Sequence, residues 1–227
     1  MTDISFLLPT ARAIDHPSVL RECIEGINRE HASLNYEILV YSRYFVEGEN
    51  VKWIKEEGEC GPIRGFNLLA SEFAKGDYLV CITDDHLIID SAKLCIDNIE
   101  NTFNDRKYKI GGLMPQGPCY MPQRGDGLGT HIIEENLPRV PLLRFPVVRK
   151  DTVKLLGGCV FHPDLFYHAG DIWLGYFLHE KGETAIEGPT RIREIQRLKN
   201  PTYEVADCDI VYALIKRYLA GHTEYIS

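Results

Sequence analysis

Two adjacent carboxylates, Asp84 and Asp85, follow directly after the apolar run YLVCI at residues 78–82. Open α/β sheets bind ligands at the carboxyl ends of their strands, so a strand here would carry both acids into a cleft. Neighbouring carboxylates are costly unless a cation neutralises them. Their hard oxygen atoms suit Mg²⁺ or Mn²⁺, which bridge protein carboxylates to substrate phosphates. The alternative is a turn or a helix cap, in which Asp is also common.

A third acid, Asp171, stands at the start of a helix predicted over residues 171–181. A carboxylate is favourable at a helix N-terminus, where it can cap the helix and meet the positive end of its dipole. A carboxylate within reach of a substrate hydroxyl can also act as a general base. Both roles are compatible with one position.

The elements that must position these acids follow from hydrophobic periodicity. Apolar runs predict strands over residues 4–8, 36–41, 51–54 and 78–82, and the 3.6-residue period predicts helices after Pro17, from Gly61 to Gly76, and after a cap at Ser91. This order indicates an α/β fold with a mostly parallel, Rossmann-like sheet covered by helices on both faces.

The second half of the chain is less regular. We predict strands over residues 109–114 and 142–148, and helices over 151–156, 171–181 and around 211–219. Residues 115–130 form a long Pro- and Gly-rich loop, of the kind that is mobile or functional. We expect one domain over residues 1–227, with a first half at 1–107 and a second half, which includes the C-terminal helices, at 108–227.

Composition narrows the possible partners. The 227 residues carry a net charge of -8 without a basic stripe, so we expect no nucleic-acid partner. An acidic protein that binds a diphosphate needs local positive charge, which a divalent metal supplies. The apolar run at 4–8 is too short for a signal peptide, and no stretch approaches the roughly 20 apolar residues of a membrane span, which predicts a cytoplasmic protein. The seven cysteines, an odd number without a CxxC pair, predict reduced core thiols.

The stretch GPIRGFNLLASEFAKGDYLVCITDDH at residues 61–86 resembles the family 2 glycosyltransferases, which have the GT-A fold. Those enzymes carry a Gly-rich helix start with Arg and Asn, a segment like AKGDY, and an apolar strand that ends in a DxD-type motif. The resemblance covers residues 4–90 and resumes at 145–182. It implies a GT-A fold with an acceptor-side extension, and an inverting, Mn²⁺- or Mg²⁺-dependent transfer of a sugar from a nucleoside diphosphate, by default UDP, to an acceptor hydroxyl.

The resemblance also assigns roles on the donor side. Asp85 matches the metal-binding acid, and Thr83 stands where the first acid of DxD usually lies. The second strand lacks the family's terminal acid, so Tyr41 or Ser42 would take its place beside the nucleoside. His86 is either a further metal ligand or a solvent-exposed or capping residue. The residues implied in donor binding are Pro9, Thr10, Arg12, Tyr41, Arg64, Asn67 and Asp84.

On the acceptor side, Asp171 matches the catalytic base. Gly170 replaces the Glu that usually precedes this acid, and Trp173 replaces a later Asp, so both are assigned to the acceptor site. The Trp173 ring would stack on an acceptor sugar, although aromatic residues at helical spacing are more often core residues, as we expect for Tyr176. A glycan or a lipid-linked acceptor fits this assignment, and the latter would bring peripheral membrane association.

Further candidates have simpler interpretations. We expect His162 and His168 to be structural, and a late His222 could complete a metal shell. The arginines at positions 191, 193 and 197 form either a segment that closes over a diphosphate or a solvated basic face.

Two other functions are compatible with the sequence. A sugar nucleotidyltransferase has a related sheet, but it usually begins with a GxGTR loop where this chain has LLPTARAID. A non-catalytic nucleotide-sugar-binding protein of the same fold would explain the degenerate DxD and the missing second-strand acid.

Overall fold

A computed structural model of the chain describes residues 3–11, 13–58, 61–116, 143, 145–165 and 170–195. Its strands are β1 (Ile4–Pro9), β2 (Tyr36–Ser42), β3 (Val51–Lys55), β4 (Tyr78–Cys81), β5 (His86–Ile88), β6 (Ile110–Gln116), β7 (Pro146–Arg149) and β8 (Ile186–Glu194). Its helices are α1 (Pro17–His31), α2 (Gly61–Leu68), α3 (Ala92–Thr102), α4 (Lys150–Leu155) and α5 (Gly170–Glu180). The strands form one sheet in the order β3-β2-β1-β4-β7-β6-β8-β5.

The half of the sheet that leads to Asp84 and Asp85 is parallel. β1 pairs in parallel with β2 and β4, and β2 pairs in parallel with β3, as the apolar runs predicted. Strand β1 is buried along its whole length because α1 and α3 cover one face of the sheet while α2 and α5 cover the other. The carboxyl ends of β1, β2 and β4 therefore meet at one edge.

The other half is mixed. β7 is antiparallel to β4 and β6, whereas β8 is parallel to β6 and antiparallel to β5. The strand predicted over 109–114 is confirmed as β6, and the one predicted over 142–148 is present as the shorter β7, which begins only at Pro146; β5 and β8 were not predicted. Arg191 and Arg193 lie in β8 with exposed side chains, which agrees with the solvated basic face and not with a segment that closes over a diphosphate. Position 197 lies outside the described residues.

Two predicted helix boundaries also differ. The helix from Gly61 ends in a π-helical turn at Leu69–Phe73 instead of at Gly76. Gly76 serves another purpose, because a Cβ there would lie 2.5 Å from the backbone nitrogen of Ser5. The N-cap position of α4 is Arg149, whose side chain makes no capping bond, and Asp151, the predicted cap, lies in the first turn of the helix. The loop predicted over 115–130 begins as the end of β6, and its remainder and the last predicted helix lie outside the described residues.

The N-terminus of α3 is closed by side chains from three parts of the chain. The Ala92 amide donates to His31 Nε2 at 2.8 Å, and the Lys93 amide donates to Ser91 Oγ at 3.3 Å, which confirms the predicted cap. The Cys95 amide donates to Thr190 Oγ1 of β8 at 3.1 Å. These bonds satisfy three backbone donors that a helix start otherwise leaves without partners.

His31 is a buried, neutral histidine that joins α1 to α3. Its side chain is fully buried, and its Nδ1 lies 2.7 Å from the carbonyl oxygen of Ile27. Since Nε2 accepts from Ala92, the proton must lie on Nδ1. Burial lowers the pKa of His31 below the ordinary value of 6.5, because the interior disfavours the charged ring.

This lowered pKa predicts that the protein loses stability in mild acid. Between pH 6.5 and the folded-state pKa, the unfolded chain binds a proton that the folded chain does not. The free energy of unfolding therefore has its full value above pH 6.5 and falls as the pH decreases through that window. Urea unfolding at pH 7.5 and pH 5.5 measures the change. The His31→Gln variant keeps an acceptor for Ala92 but cannot titrate here, so an equal pH dependence in both proteins would contradict the assignment.

Four cysteines have free thiols in the described part of the chain: Cys23, Cys81 and Cys95, which are buried, and Cys159, which is partly exposed. The prediction of reduced core thiols is confirmed for Cys23, Cys81 and Cys95, whereas Cys159 is not a core residue. None of the described helices combines the length and apolar character that crossing a bilayer requires.

Candidate functional site

The candidate site lies where β1, β2 and β4 end. Thr10 follows β1, and its amide donates to the carbonyl oxygen of Tyr41 at 2.9 Å. Its hydroxyl donates to Asp84 Oδ2 in a short hydrogen bond, although the two residues are 74 positions apart. Thr10 and Asp84 are each 6% exposed. The hydroxyl therefore orients a buried carboxylate at the strand ends.

Asp85 is the more exposed acid of the pair. Its side chain is 15% exposed, and its Oδ1 lies 2.7 Å from His86 Nδ1. Its backbone carbonyl accepts a hydrogen bond from the Ile195 amide at 2.7 Å, which ties the turn to the end of β8. The two acids also affect Cys23 of α1. Burial raises the pKa of the Cys23 thiol, and the negative charges of Asp84 and Asp85 raise it further.

The first turns of α2 pack directly on the strand ends. A Cβ at Gly65 would lie 2.7 Å from Pro9 Cβ and 3.0 Å from Tyr41 Cδ1, so only glycine permits this approach. Gly65 was not predicted as a site residue, although its spacing of four residues from Gly61 places both on one helix face and could have indicated close packing. Arg64 lies on the exposed side of the same turn.

Of the two candidates at the end of β2, Tyr41 lies at this packed corner. It is 4% exposed and contacts the α2 side of the sheet. The Ser42 hydroxyl instead donates to the carbonyl of Tyr44 and accepts from the Trp53 indole at 3.2 Å. These bonds commit the Ser42 hydroxyl to the loop after β2, and the start of α2 covers the Tyr41 ring, so the structure does not favour either residue as the contact beside a nucleoside.

Helix α5 begins beside the first turn of α2. A Cβ at Gly170 would lie 2.6 Å from Ile63 Cδ1 and 2.7 Å from Phe161 Cδ1. The position therefore has no room for the Glu that the resemblance led us to expect. Because Gly170 allows this approach, the half-buried Asp171 in the first turn of α5 lies near the start of α2.

The Asn67 side chain joins α2 to the backbone of Phe161, in the segment before α5. Its Nδ2 donates to the carbonyl of Phe161, and its Oδ1 accepts from the Phe161 amide, both at 2.9 Å. Asn67 is 7% exposed. Its amide thus pairs with backbone 94 residues away, which gives it a structural role in place of the predicted contact with the donor.

The burial of Trp173 does not fit a sugar platform. The residue is 6% exposed, belongs to the core under α5, and meets the His162 ring edge-on at a centroid distance of 4.9 Å. The prediction that it stacks on an acceptor was therefore wrong, because its ring is covered. Tyr176 is 5% exposed and His162 is 2% exposed, which confirms that both are internal.

Three candidate residues, at positions 12, 168 and 222, lie outside the described residues. Within the described ranges, no group of three or more His, Cys, Asp or Glu side chains is arranged to hold a metal ion.

The fold is that of known glycosyltransferases. TarS from S. aureus in complex with UDP-GlcNAc is 12% identical with a TM-score of 0.58, over 97% of this chain and 66% of its own. GalNAc-T7 with UDP, GalNAc and Mn²⁺ is 14% identical with a TM-score of 0.68, over 98% of this chain and 50% of its own. The mannosyltransferase PcManGT from Pyrobaculum calidifontis with GDP-Man and Mn²⁺ is 14% identical with a TM-score of 0.57, over 96% of this chain and 61% of its own.

These similarities show the GT-A fold that the sequence predicted. The chain spans between half and two thirds of the length of these three solved chains, of which the TarS chain comprises residues 1–349. No protein-family model matches the chain, and no curated protein sequence matches it either.

Proposed function

We propose that the protein is a metal-dependent glycosyltransferase that takes a sugar from a nucleoside diphosphate, by default UDP, and places it on an acceptor hydroxyl. The observation that carries this proposal is the buried hydrogen bond from Thr10 to Asp84, with Asp85 beside it at the edge where β1, β2 and β4 end. This edge is where open α/β sheets bind their ligands.

The acids at this edge fit a divalent cation. Asp84 is buried and held by a hydroxyl, while Asp85 is partly exposed and bonded through Oδ1 to His86, so both carboxylates are oriented at the strand ends. Such oxygen donors suit Mg²⁺ or Mn²⁺, which take their remaining ligands from water and from substrate phosphates. When bound, the cation would stabilise the negative charge that develops on the departing diphosphate.

The donor-side residues would bind and orient the nucleotide. Pro9 and Tyr41 pack around Gly65 and would hold the strand ends in place beneath the nucleotide. Arg64 is exposed on the adjacent helix turn and offers a planar fork of donors to an anionic group. Thr10 acts through Asp84, because its hydroxyl fixes the orientation of that carboxylate.

Asp171 would act as the general base. It would take the proton from the acceptor hydroxyl as the oxygen attacks the anomeric carbon, and the configuration at that carbon would invert. Gly170 would support this role by letting the start of α5 pack close to α2, the helix that carries Arg64.

A thermal-shift experiment with UDP, GDP and their sugars, each with and without Mn²⁺, tests the proposal. A ligand that binds only the folded protein adds about 2.7 kcal/mol to the free energy of unfolding at a hundred times its Kd. It therefore raises the melting temperature. We expect the largest rise with a nucleotide and Mn²⁺ together, and transfer of sugar that EDTA abolishes. A protein that binds the nucleotide sugar without hydrolysis or transfer would be a non-catalytic binder, and full activity in EDTA would contradict the metal.

A further inference from the structure

His86 follows the turn at residues 83–85 and lies between two of its side chains. Its Nδ1 is 2.7 Å from Thr83 Oγ1 and 2.7 Å from Asp85 Oδ1. The Thr83 position is the one at which the chain departs from the acidic motif of the family that it resembles. The structure therefore shows a use for the threonine, since its hydroxyl contacts the same ring nitrogen as the carboxylate.

The position of the proton on His86 follows from these contacts. An unprotonated Nδ1 would direct its lone pair at an anionic oxygen at 2.7 Å, which is repulsive. A proton on Nδ1 is instead attracted to Asp85 Oδ1 and is shared with the Thr83 oxygen. We therefore assign the Nδ1–H form, in which histidine donates to the carboxylate.

The surroundings hold the imidazole in this orientation. The ring packs against Phe145 at a centroid distance of 4.6 Å, and only 21% of the His86 side chain is exposed. Its backbone begins β5, where it pairs with Glu194 of β8, and the neighbouring Ile195 amide binds the Asp85 carbonyl. Hydrogen bonds thus hold both the backbone carbonyl and the side chain of Asp85.

We propose that His86 is a positioning residue that orients the Asp85 carboxylate for the divalent cation by donating its Nδ1–H, with Thr83 sharing that donor. This inference rests on the proposed function, because it needs a cation at Asp85. Hydrogen bonds to the ligands of a metal hold them in place, and removing one typically lowers metal affinity by about 10- to 100-fold.

Two substitutions distinguish the role of the Nδ1 nitrogen from that of the Nε2 nitrogen. His86→Asn keeps an N–H near the Nδ1 position, whereas His86→Gln moves its N–H to the Nε2 position. The affinity for Mn²⁺ in the presence of UDP is measured from the electron paramagnetic resonance signal of free Mn²⁺, and unfolding in EDTA checks the fold. His86→Phe, which keeps a ring against Phe145 without any donor, replaces the Gln variant if that variant does not fold.

We expect His86→Gln and His86→Phe to weaken Mn²⁺ binding about 10- to 100-fold and His86→Asn to stay within about threefold of the unchanged protein. Equal affinities in all proteins would overturn the positioning role while leaving the proposed function intact. Equal losses in the Asn and Gln variants would overturn the assignment to Nδ1. If the unchanged protein itself binds no Mn²⁺ with UDP, the metal-dependent function fails, and this inference fails with it.

Discussion

Asp85→Asn is expected to lower the rate of sugar transfer by about 10²- to 10³-fold, the loss seen when a group that stabilises transition-state charge is removed. The substitution replaces an anionic oxygen by an amide, which is a poor ligand for a hard cation. The fold should persist, because the bond from Ile195 reaches the backbone carbonyl of residue 85 and not its side chain. Transfer rates over a range of Mn²⁺ concentrations, with circular dichroism spectra, measure both effects.

Asp97→Asn is the matched control for Asp85→Asn. Asp97 lies on α3 with half of its side chain exposed, and it pairs with Lys93 at the surface. It undergoes the same change of charge far from the strand ends, so transfer should remain at the level of the unchanged protein. Transfer retained by Asp85→Asn, or a loss as large in Asp97→Asn, would remove Asp85 from the metal site.

Asp171→Asn is expected to lower kcat by about 10²- to 10⁴-fold, the usual contribution of a general base. Binding of the donor and of Mn²⁺ should change little, because the loss concerns only the proton of the acceptor hydroxyl. Steady-state kinetics with the donor varied at saturating acceptor separates kcat from KM, and a thermal shift with UDP and Mn²⁺ checks binding directly.

A matched control separates catalysis from helix capping. Asp151, like Asp171, is the acid in the first turn of a helix, and it is 66% exposed. Asp151→Asn removes the same favourable interaction with a helix dipole, so both variants should lose a similar small amount of stability. Only Asp171→Asn should lose activity. Equal activities in the two variants would limit Asp171 to its structural role.

The parallel half of the fold could be predicted because each of its elements carries a local signal. Strands β1, β2 and β4 are buried on both faces, so they appear in the sequence as short, nearly continuous apolar runs. Helices α1 and α3 begin at Pro17 and after Ser91, two ordinary start signals. The acids at the end of β4 then follow from the position of the strand.

Strand β8 was missed because its signal is weak and interrupted. Its inward positions alternate with exposed ones, but Gly188 and Pro189 stand in the middle, where they usually indicate a turn. A register shift in the pairing of β6 with β8 accommodates these residues. The pairing of Arg191 with Asp90, at 2.6 and 2.7 Å, depends on residues 101 positions apart and has no local sequence signal.

Site residues could be predicted where the residue type alone indicates the chemistry. They could be predicted less well where tertiary packing decides whether a side chain is exposed. Asp84 and Thr10 were both expected near the donor, and the structure joins them. Asn67 and Trp173 have suitable chemical types for binding, but tertiary contacts commit one to a backbone pair and bury the other. The exposure of a side chain depends on the elements that pack over it, which local periodicity does not contain.

The pairing of β5 with β8 has a consequence for how the protein is made. The strand that follows Asp85 has its partner about a hundred residues later in the chain. Contacts of such high sequence separation carry a large loop-closure entropy and are typical of slow steps in folding. During synthesis, Asp84 and Asp85 therefore leave the ribosome well before β8 can pair beside them. A nascent chain in that interval holds both acids without the strand that orders their turn.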